Sequence, residues 1–171
     1  MQGVLKVKDI MTSGWIATLH PDDNLIHAAK LFGEYNYDGF PVIQKDKTLV
    51  GILTGYDMVS DSIYIHLSGL EEILEKKNKD RKEERSELEE HFKKIGSVTV
   101  KEVMNSDPLT VTPEMGINNL AKEFIKHHRV NPIPVVDGEN KLLGVVSRYD
   151  LIKFLDFKYL EKVLVLGSET I

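Results

Sequence analysis

Residues 51–57 read Gly-Ile-Leu-Thr-Gly-Tyr-Asp and residues 144–150 read Gly-Val-Val-Ser-Arg-Tyr-Asp, so the chain carries one short pattern twice, 93 residues apart. The same offset relates two further pairs of segments, which are Val7–Met11 with Val100–Met104 and Phe40–Ile43 with Ile133–Val136. Repeated units of this kind bury their apolar faces against each other instead of folding alone. The duplication therefore predicts two like units packed about a pseudo-twofold axis.

Each repeat is predicted to have the element order β-α-β-β-α. Apolar residues form one helical face in each repeat, namely Leu25, Ala28, Ala29 and Phe32 in the first and Ile117, Leu120, Ala121 and Phe124 in the second. Asp22 and Thr112 are the predicted helix caps, because short polar side chains accept hydrogen bonds from the first helical N–H groups. Two short apolar strands joined by a polar turn follow each helix. The predicted fold class is α/β (α+β).

The segment between the repeats has a different composition. From Glu71 to Lys94 it contains nine acidic and eight basic residues, and opposite charges recur four positions apart, as at Arg85 and Glu89. Such spacing favours solvated helices, so we predict two helices, or one bent helix, whose apolar ends pack on the body of the protein. The predicted boundaries are 1–60 for the first repeat, 61–97 for the charged helical insert and 98–171 for the second repeat with a C-terminal helix.

The composition excludes several classes of function. A net charge of −5 disfavours a nucleic-acid partner, because such proteins carry a basic excess. The absence of cysteine excludes disulfides and thiolate metal sites, and the histidines show no metal-ligand spacing, so we expect no metal. The start lacks the apolar core of a signal peptide and no apolar run approaches about 18 residues, which predicts a cytoplasmic protein without a membrane partner. Trp15 is predicted to be a packing residue.

The patterns Thr54-Gly-Tyr-Asp57 and Ser147-Arg-Tyr-Asp150 allow a structural and a functional interpretation. Both match the capping box, in which the hydroxyl caps a helix and the carboxylate accepts from the N–H of the cap residue. Their repetition after Gly-led apolar strands favours a ligand, because an Asp there can accept two hydroxyl hydrogen bonds, as the 2′,3′-diol of a ribose requires. The residues alone leave both interpretations open.

Taken in order, these patterns resemble cystathionine-β-synthase (CBS) motifs, and the pair resembles a CBS pair, or Bateman module. The segments that carry the resemblance are Asp9–Met11, Tyr37–Val42, Gly51–Asp57, Glu102–Met104, His128–Asp137 and Gly144–Asp150. It covers about residues 5–60 and 98–158 and leaves the charged insert outside. The resemblance implies adenosyl-ligand sensing in clefts between the two repeats. A Ser/Thr and an Asp of one repeat would hold phosphate and ribose, and the adenine would lie against the other repeat.

Two ligand sites follow from the resemblance. Site A would use Ser147 and Asp150, with adenine near Thr12, Ser13, Tyr37, Asp38, Gly39 and Phe40. Site B would use Thr54 and Asp57, with adenine near Asn105, Ser106, Val130, Asn131 and Ile133. At Asp38 a carboxylate would repel a phosphate but accept a hydrogen bond from an adenine amine.

The two repeats differ at the two positions whose side chains would contact a phosphate group. His128 and Arg129 precede the strand of the second repeat and resemble the His-Arg pair of the gamma subunit of AMP-activated protein kinase. They would add charge-assisted phosphate contacts to site A. The alternative is a solvated helix end favoured by the helix dipole. The first repeat has Tyr35 and Asn36 there, without a cation.

The expected function is a regulatory CBS pair that senses adenine nucleotide (AMP, ADP or ATP) or S-adenosylmethionine and requires no cofactor. No nucleophile elbow or glycine-rich phosphate loop is present in the sequence, so we expect no catalysis. We also expect an unidentified effector protein and a homodimer, because apolar residues at helical spacing follow Asp150, namely Leu151, Phe154, Leu155, Phe157 and Leu160. The alternative function is a structural or oligomerisation module with unoccupied clefts that docks a partner through the charged insert.

Overall fold

The chain forms two compact units, each of which combines most of one repeat with the opening segment of the other. The computed structural model describes residues 5–59, 61–75, 81–153 and 156, and for 61–67 the backbone alone. The first unit contains Met1–Ala17, Asp46–Leu49 and Pro108–Ile171, and the second contains Thr18–Lys45 and Val50–Asp107. The predicted boundaries at 60/61 and 97/98 follow the repeats and stay a prediction.

The elements confirm the α+β class. In chain order they are β1 (Thr12–Ser13), α1 (Leu25–Tyr35), β2 (Gly39–Ile43), β3 (Leu49–Thr54), α2 (Asp61–Glu75), α3 (Arg81–Ser97), α4 (Val100–Val103), α5 (Ile117–Lys126), β4 (Ile133–Val136), β5 (Leu142–Val146) and α6 (Arg148–Ile152). Short 3-10 turns occupy Val7–Asp9 and Asp57–Val59. The strands form an antiparallel sheet of order β1-β5-β4 and a two-stranded sheet of β2 and β3.

Backbone hydrogen bonds attach the turn that opens each repeat, at Val7 in the first and Val100 in the second, to the segment that precedes the helix of the other repeat. In the first unit the N–H of Val7 donates to the carbonyl of Met115 at 2.8 Å, and Lys8 donates to Pro113 at 3.0 Å. The second unit repeats both bonds, from Val100 to Asp23 at 2.8 Å and from Lys101 to Pro21 at 3.0 Å. These bonds satisfy backbone groups that neither repeat satisfies from its own sequence.

The helices begin later than the predicted caps. The side chain of Asn24 caps α1 by accepting from the N–H of His27 at 2.8 Å, and α5 begins after Gly116 without a side-chain cap. The prediction of Asp22 and Thr112 as caps was therefore wrong. In each repeat the proline lies within a backbone turn that precedes the helix, closed by the bonds from Asp23 N–H to the His20 carbonyl at 3.0 Å and from Met115 N–H to the Thr112 carbonyl at 3.2 Å.

The cores follow the predicted apolar positions with two exceptions. Within the first unit, Leu120, Phe124, Ile133, Val135 and Val146 belong to one buried cluster. In α1 of the second unit Leu25 and Ala28 are buried, whereas Ala29, predicted on the same face, is exposed. Trp15, predicted to pack, is 69% exposed; it follows Gly14, whose φ of +86° lies in the left-handed region that favours glycine.

The described residues of the charged insert form two helices, α2 and α3, which is one of the two predicted arrangements. The predicted pairs four positions apart are present in α3, from Arg85 to Glu89 at 3.0 Å and from Lys94 to Glu90 at 3.1 Å. The helices approach closely at Gly69, where an added Cβ would lie 2.6 Å from Cε1 of His91. Among the helices that the structure describes, none is both long and apolar enough to cross a membrane.

Candidate functional site

In the first unit Ser147 and Asp150 form a complete capping box at the start of α6. One carboxylate oxygen of Asp150, Oδ2, accepts from the N–H and from the hydroxyl of Ser147, both at 2.8 Å. The other, Oδ1, accepts from the ammonium of Lys153 at 2.9 Å. Asp150 is only 4% exposed. The structural interpretation of the pattern is therefore realised here, and a ribose at Asp150 would compete with Lys153.

The opening loop of the first repeat lies beside the strand that leads to Ser147. Thr12 pairs with Val145 and Ser13 with Gly144 in the antiparallel β1–β5 ladder. Both opening-loop residues are exposed, so their hydroxyl groups can donate and accept hydrogen bonds at this edge. The first unit thus contains four of the predicted site A residues on β1 or just after its partner strand β5, namely Thr12, Ser13, Ser147 and Asp150.

His128 and Arg129 follow α5 in the same unit, and both are exposed. The α5 helix ends at Lys126 with His127 as its C-cap, so the pair lies in the turn between α5 and β4. The carbonyl of His128 accepts from Nη2 of Arg148 at 2.8 Å, which connects this turn to the residue that follows Ser147. Sequence position alone gave no reason to expect that connection.

In the second unit Thr54 and Asp57 repeat the capping box in a shorter 3-10 turn. Oδ2 of Asp57 accepts from the N–H of Thr54 at 2.7 Å and from its hydroxyl at 2.6 Å. Within the described part of the chain, Oδ1 of Asp57 accepts no further hydrogen bond, and the residue is half-buried. Among the described residues, one carboxylate oxygen of Asp57 is thus an acceptor for a hydroxyl ligand, whereas both oxygens of Asp150 already accept hydrogen bonds.

Asn105 and Ser106 lie beside the strand that leads to Thr54, as the opening loop does in the first unit. Asn105 and Ile52 exchange backbone hydrogen bonds of 2.9 and 3.0 Å. Both opening-loop residues are exposed. The second unit therefore brings together four of the predicted site B residues.

The residues predicted to line the adenine divide into exposed and buried groups. In the second unit Tyr37 is 50% exposed and stacks on Tyr35 with ring centroids 5.5 Å apart, while Phe40 is fully buried. Asp38 is exposed, and its carbonyl accepts from the N–H of Gly55 at 3.0 Å. Gly39 begins β2 and is buried. Tyr37 and Asp38 thus offer side chains here, whereas Phe40 belongs to the core.

In the first unit the corresponding segment, which contains Val130, Asn131 and Ile133, forms hydrogen bonds with residues of its own repeat. Oδ1 of Asn131 accepts from the N–H of Arg148 at 2.9 Å, and the carbonyl of Val130 accepts from the guanidinium of the same arginine at 3.0 Å. Ile133 is fully buried and pairs with Val146 in the sheet. Val130 and Asn131 therefore contact Arg148 in the junction Ser147–Asp150, the segment that follows β5 and begins α6, and Ile133 packs in the core. The equivalent junction of the first repeat is Thr54–Asp57.

Sequence reasoning missed Arg148 and Lys153. Lys153 stands three positions after Asp150 on the predicted helix, a spacing at which side chains meet, so that contact was accessible from the sequence. Arg148 had a weaker signal, namely that it stands where the first repeat has Gly55.

Comparison with known proteins identifies both repeats. The model of the CBS domain family matches residues 7–63 and 100–156, more than half of the chain. The uncharacterized protein MJ1426 of Methanocaldococcus jannaschii is 33% identical over 161 residues, which are 89% of this chain and 92% of that protein. An inosine-5'-monophosphate dehydrogenase of Korarchaeum cryptofilum is 27% identical over 80% of this chain, which spans only 21% of the length of that enzyme.

Solved structures share the fold at lower identity. CBSX2 of Arabidopsis thaliana in complex with AMP matches with a TM-score of 0.63 and 24% identity, over 88% of this chain and 95% of that one. The CBS domain pair of MJ0100, in complex with 5'-methylthioadenosine and S-adenosyl-L-methionine, matches with a TM-score of 0.63 and 22% identity, over 91% and 99% of the two chains. With two family matches in tandem and a relative that aligns over nearly its whole length, the chain belongs to the CBS domain family.

Proposed function

We propose that this CBS pair is a regulatory module that binds an adenosyl ligand and changes its affinity for an effector protein. One observation carries the proposal. In each unit an exposed opening loop lies beside the strand that leads to a Ser/Thr-x-x-Asp junction, as Thr12 does near Ser147 and Asn105 near Thr54. Hydroxyl, amide and carboxylate groups thereby converge at one edge, as recognition of a ribose and its phosphate requires.

The solved relatives support the class of ligand. CBSX2 was crystallised with AMP, and the MJ0100 pair with 5'-methylthioadenosine and S-adenosyl-L-methionine. All three ligands share an adenine base on a ribose ring with a 2',3'-diol, whereas the 5' position carries a phosphate in AMP, a neutral thioether in 5'-methylthioadenosine and a positively charged sulfonium in S-adenosyl-L-methionine. The proposal therefore commits to an adenosine moiety and takes AMP, ADP, ATP and S-adenosylmethionine as candidates.

The charged groups favour a phosphorylated ligand in the first unit. His128 and Arg129 are exposed, and Arg148, the residue after Ser147, donates a hydrogen bond to the carbonyl of His128. Lys153 contacts Asp150. Guanidinium and ammonium groups form strong charge-assisted hydrogen bonds to phosphate oxygens. In the second unit Tyr35 and Asn36 take the places of the His-Arg pair, so we propose weaker phosphate binding there.

We propose no catalytic activity for this chain. The dehydrogenase relative is an enzyme, but the match covers about a fifth of its length, so its activity gives no reason to expect the same reaction here. We propose instead that the chain acts in the cytoplasm and that ligand binding changes its affinity for an effector protein.

We further propose a twofold homodimer. Tyr149 and Ile152 of α6 are 66% and 54% exposed, and burial of such a face between two copies would stabilise a symmetric pair. Leu151 is half-buried against the core of the first unit, so it supports the face less than predicted. The other predicted members, Phe154, Leu155, Phe157 and Leu160, lie outside the described residues.

A structural or oligomerisation module is the second candidate, and one observation favours it. Both capping boxes are satisfied without a ligand, and Asp150 is buried and paired with Lys153. In that case α2 and α3, with their mixed charges, would dock the partner. The two candidates differ in one measurable property, which is stabilisation by adenosyl ligands.

Thermal denaturation with a ligand panel tests the proposal. At a ligand concentration of about 100 times the dissociation constant, the free energy of unfolding should rise by roughly 2.7 kcal/mol. The panel is AMP, ADP, ATP and S-adenosylmethionine, with GMP as the base-specificity control. The double variant Asp57→Ala/Asp150→Ala should lose the shift. If no adenine compound of the panel raises the midpoint at millimolar concentration, the structural module is the better account.

A further inference from the structure

The end of α5 is held by a side chain that the two repeats do not share. The guanidinium of Arg148 donates to four backbone carbonyls: Nη1 to Val130 at 3.0 Å, and Nη2 to Phe124 at 3.2 Å, His127 at 3.1 Å and His128 at 2.8 Å. Its Cζ also lies 5.0 Å from the centroid of the Phe124 ring. One half-buried side chain therefore binds the whole turn that joins α5 to β4.

The first repeat ends the equivalent helix by a different device. Asn36 at the end of α1 has a φ of 50°, in the left-handed region, and its N–H donates to the carbonyl of Phe32 at 3.1 Å. A left-handed residue of this kind satisfies the last helical carbonyls through the backbone. Gly55 stands in the position of Arg148, so no side chain from there reaches the turn.

Electrostatics gives this difference a consequence for ligand binding. The last carbonyls of a helix carry a partial negative charge, and in α5 they lie in the same turn as His128 and Arg129. The guanidinium of Arg148 lies against those carbonyls. It supplies a permanent positive charge there, because it stays protonated, and it offers five N–H donors in a fixed geometry. Without it the turn would present carbonyl oxygens whose negative partial charge is not balanced by a cation, and it would lose four hydrogen bonds that fix its conformation.

We propose that Arg148 is a positioning residue that fixes the 127–130 turn and thereby sets the preference of the first unit for a phosphorylated over an unphosphorylated adenosyl ligand. This inference rests on the proposed function. Nη1 and Nη2 of Arg148 both donate to carbonyls of the turn, so its role is to position the turn and not to contact the ligand. It acts through His128 and Arg129, because it binds the carbonyl of His128 and that of Val130, on the other side of Arg129.

The test compares AMP and adenosine affinities by titration calorimetry in three variants. Arg148→Met keeps an apolar stem on Phe124 and removes the charge and the donors. Arg148→Lys keeps the charge and removes the fork. Arg85→Met, in α3 of the second unit, is the control for the loss of one positive charge. The ratio of AMP to adenosine affinity should fall about tenfold in Arg148→Met, fall less in Arg148→Lys and stay unchanged in Arg85→Met.

Amide hydrogen exchange separates this inference from the function on which it rests. The N–H of Val130 donates to the carbonyl of His127 at 3.0 Å, and its exchange should accelerate in both Arg148 variants. An unchanged affinity ratio in a folded Arg148→Met overturns the effect on preference, as does a fall of equal size in Arg85→Met. Should Arg148→Met not fold, the ratio in Arg148→Lys decides. If the wild-type chain binds neither ligand, the proposed function fails, the effect on preference fails with it, and Val130 exchange alone decides whether Arg148 holds the turn.

Discussion

A Cβ atom added to Gly144 would lie 2.7 Å from the carbonyl oxygen of Thr12. Gly51 has the same relation to Asn105 in the second unit, at 2.8 Å. These two glycines open the patterns that reveal the duplication, and each allows the opening loop of the other repeat to lie directly on the strand. A methionine of that loop packs at the same point, Met11 on Gly144 and Met104 on Gly51.

Gly144→Ala should lower the free energy of unfolding by about 1–3 kcal/mol, because the methyl group must displace a backbone carbonyl rather than a flexible side chain. Gly33→Ala is the matched control, since nothing lies within 4 Å of its added Cβ in α1. Alanine there should raise stability by roughly 0.5–1 kcal/mol. Urea denaturation of both variants gives the comparison. Equal stability of Gly144→Ala and the wild-type chain would show that the loop yields without cost.

The carboxylates of the two junctions should differ in their effect on stability. Asp150→Ala removes the acceptor of three hydrogen bonds in a buried position, and should cost about 1–3 kcal/mol. Asp57→Ala removes a more exposed cap and should cost about 1 kcal/mol. In ligand titrations Asp150→Ala should abolish the tighter site, while Asp57→Ala should affect only the weaker one.

Glu102→Ala serves as the control for Asp150→Ala. Glu102 forms another capping box with Thr99, in which Oε2 of Glu102 accepts from the N–H and from the hydroxyl of Thr99, both at 2.7 Å. Glu102 belongs to the second unit and is not among the predicted ligand residues. Its loss should lower stability without changing affinity for AMP in the first unit. A loss of AMP affinity of the same size in Glu102→Ala and Asp150→Ala would mean that stability alone explains the effect.

The duplication predicted the helices and the paired strands, because a repeat doubles every weak signal, whereas the pairing of opening loops with the Ser/Thr-x-x-Asp segments came from the resemblance to CBS motifs. Periodicity located the helices but not their first residues, since Asp22 and Thr112 were as good caps by type as Asn24. Trp15 was predicted to pack from its residue type, but residue type does not say whether a neighbouring element covers the ring, and Trp15 is exposed. The carbonyl contacts of Arg148 depend on how α5 ends, which is a tertiary property that spacing does not encode.

The stability of the first unit should depend on pH through Glu114. Its carboxylate pairs with the ammonium groups of Lys6 and of Lys8, the latter at 2.7 Å. The hydrogen bond from Lys6, followed by that from Lys8, lowers the pKa of Glu114 from 4.5 to about 2. A carboxyl with a lowered folded-state pKa stabilises the folded chain above its unfolded pKa, and that stabilisation is lost as the pH falls from about 4.5 towards 2.

Thermal melts of Glu114→Gln and the wild-type chain check this dependence. The midpoint difference should be constant near neutral pH and should shrink as the pH is lowered through about 4. Because all three groups are exposed, added salt should also reduce the difference. A difference that grows as the pH falls would contradict the assignment of the pKa shift to Glu114.

The proposed homodimer predicts a mass of twice 19.4 kDa by light scattering at micromolar protein. Ile152→Glu should shift the mass towards the monomer, because a charge would be buried at the proposed interface. Leu74→Glu is the control, since Leu74 is 64% exposed on α2 and is not part of the proposed face. A monomer mass for the wild-type chain would remove the dimer from the proposal.

The two predicted sites should be unequal, and Arg129 should account for much of the difference. A hydrogen bond to a charged group contributes roughly 1.5–3 kcal/mol, so Arg129→Ala should weaken AMP binding about tenfold or more. Adenosine lacks the phosphate, and its affinity should stay nearly constant. Lys126→Ala, which removes a neighbouring charge at the end of α5, is the control and should change both affinities little. Equal losses of AMP and adenosine affinity in Arg129→Ala would show by titration calorimetry that the arginine supports the fold and does not bind the phosphate.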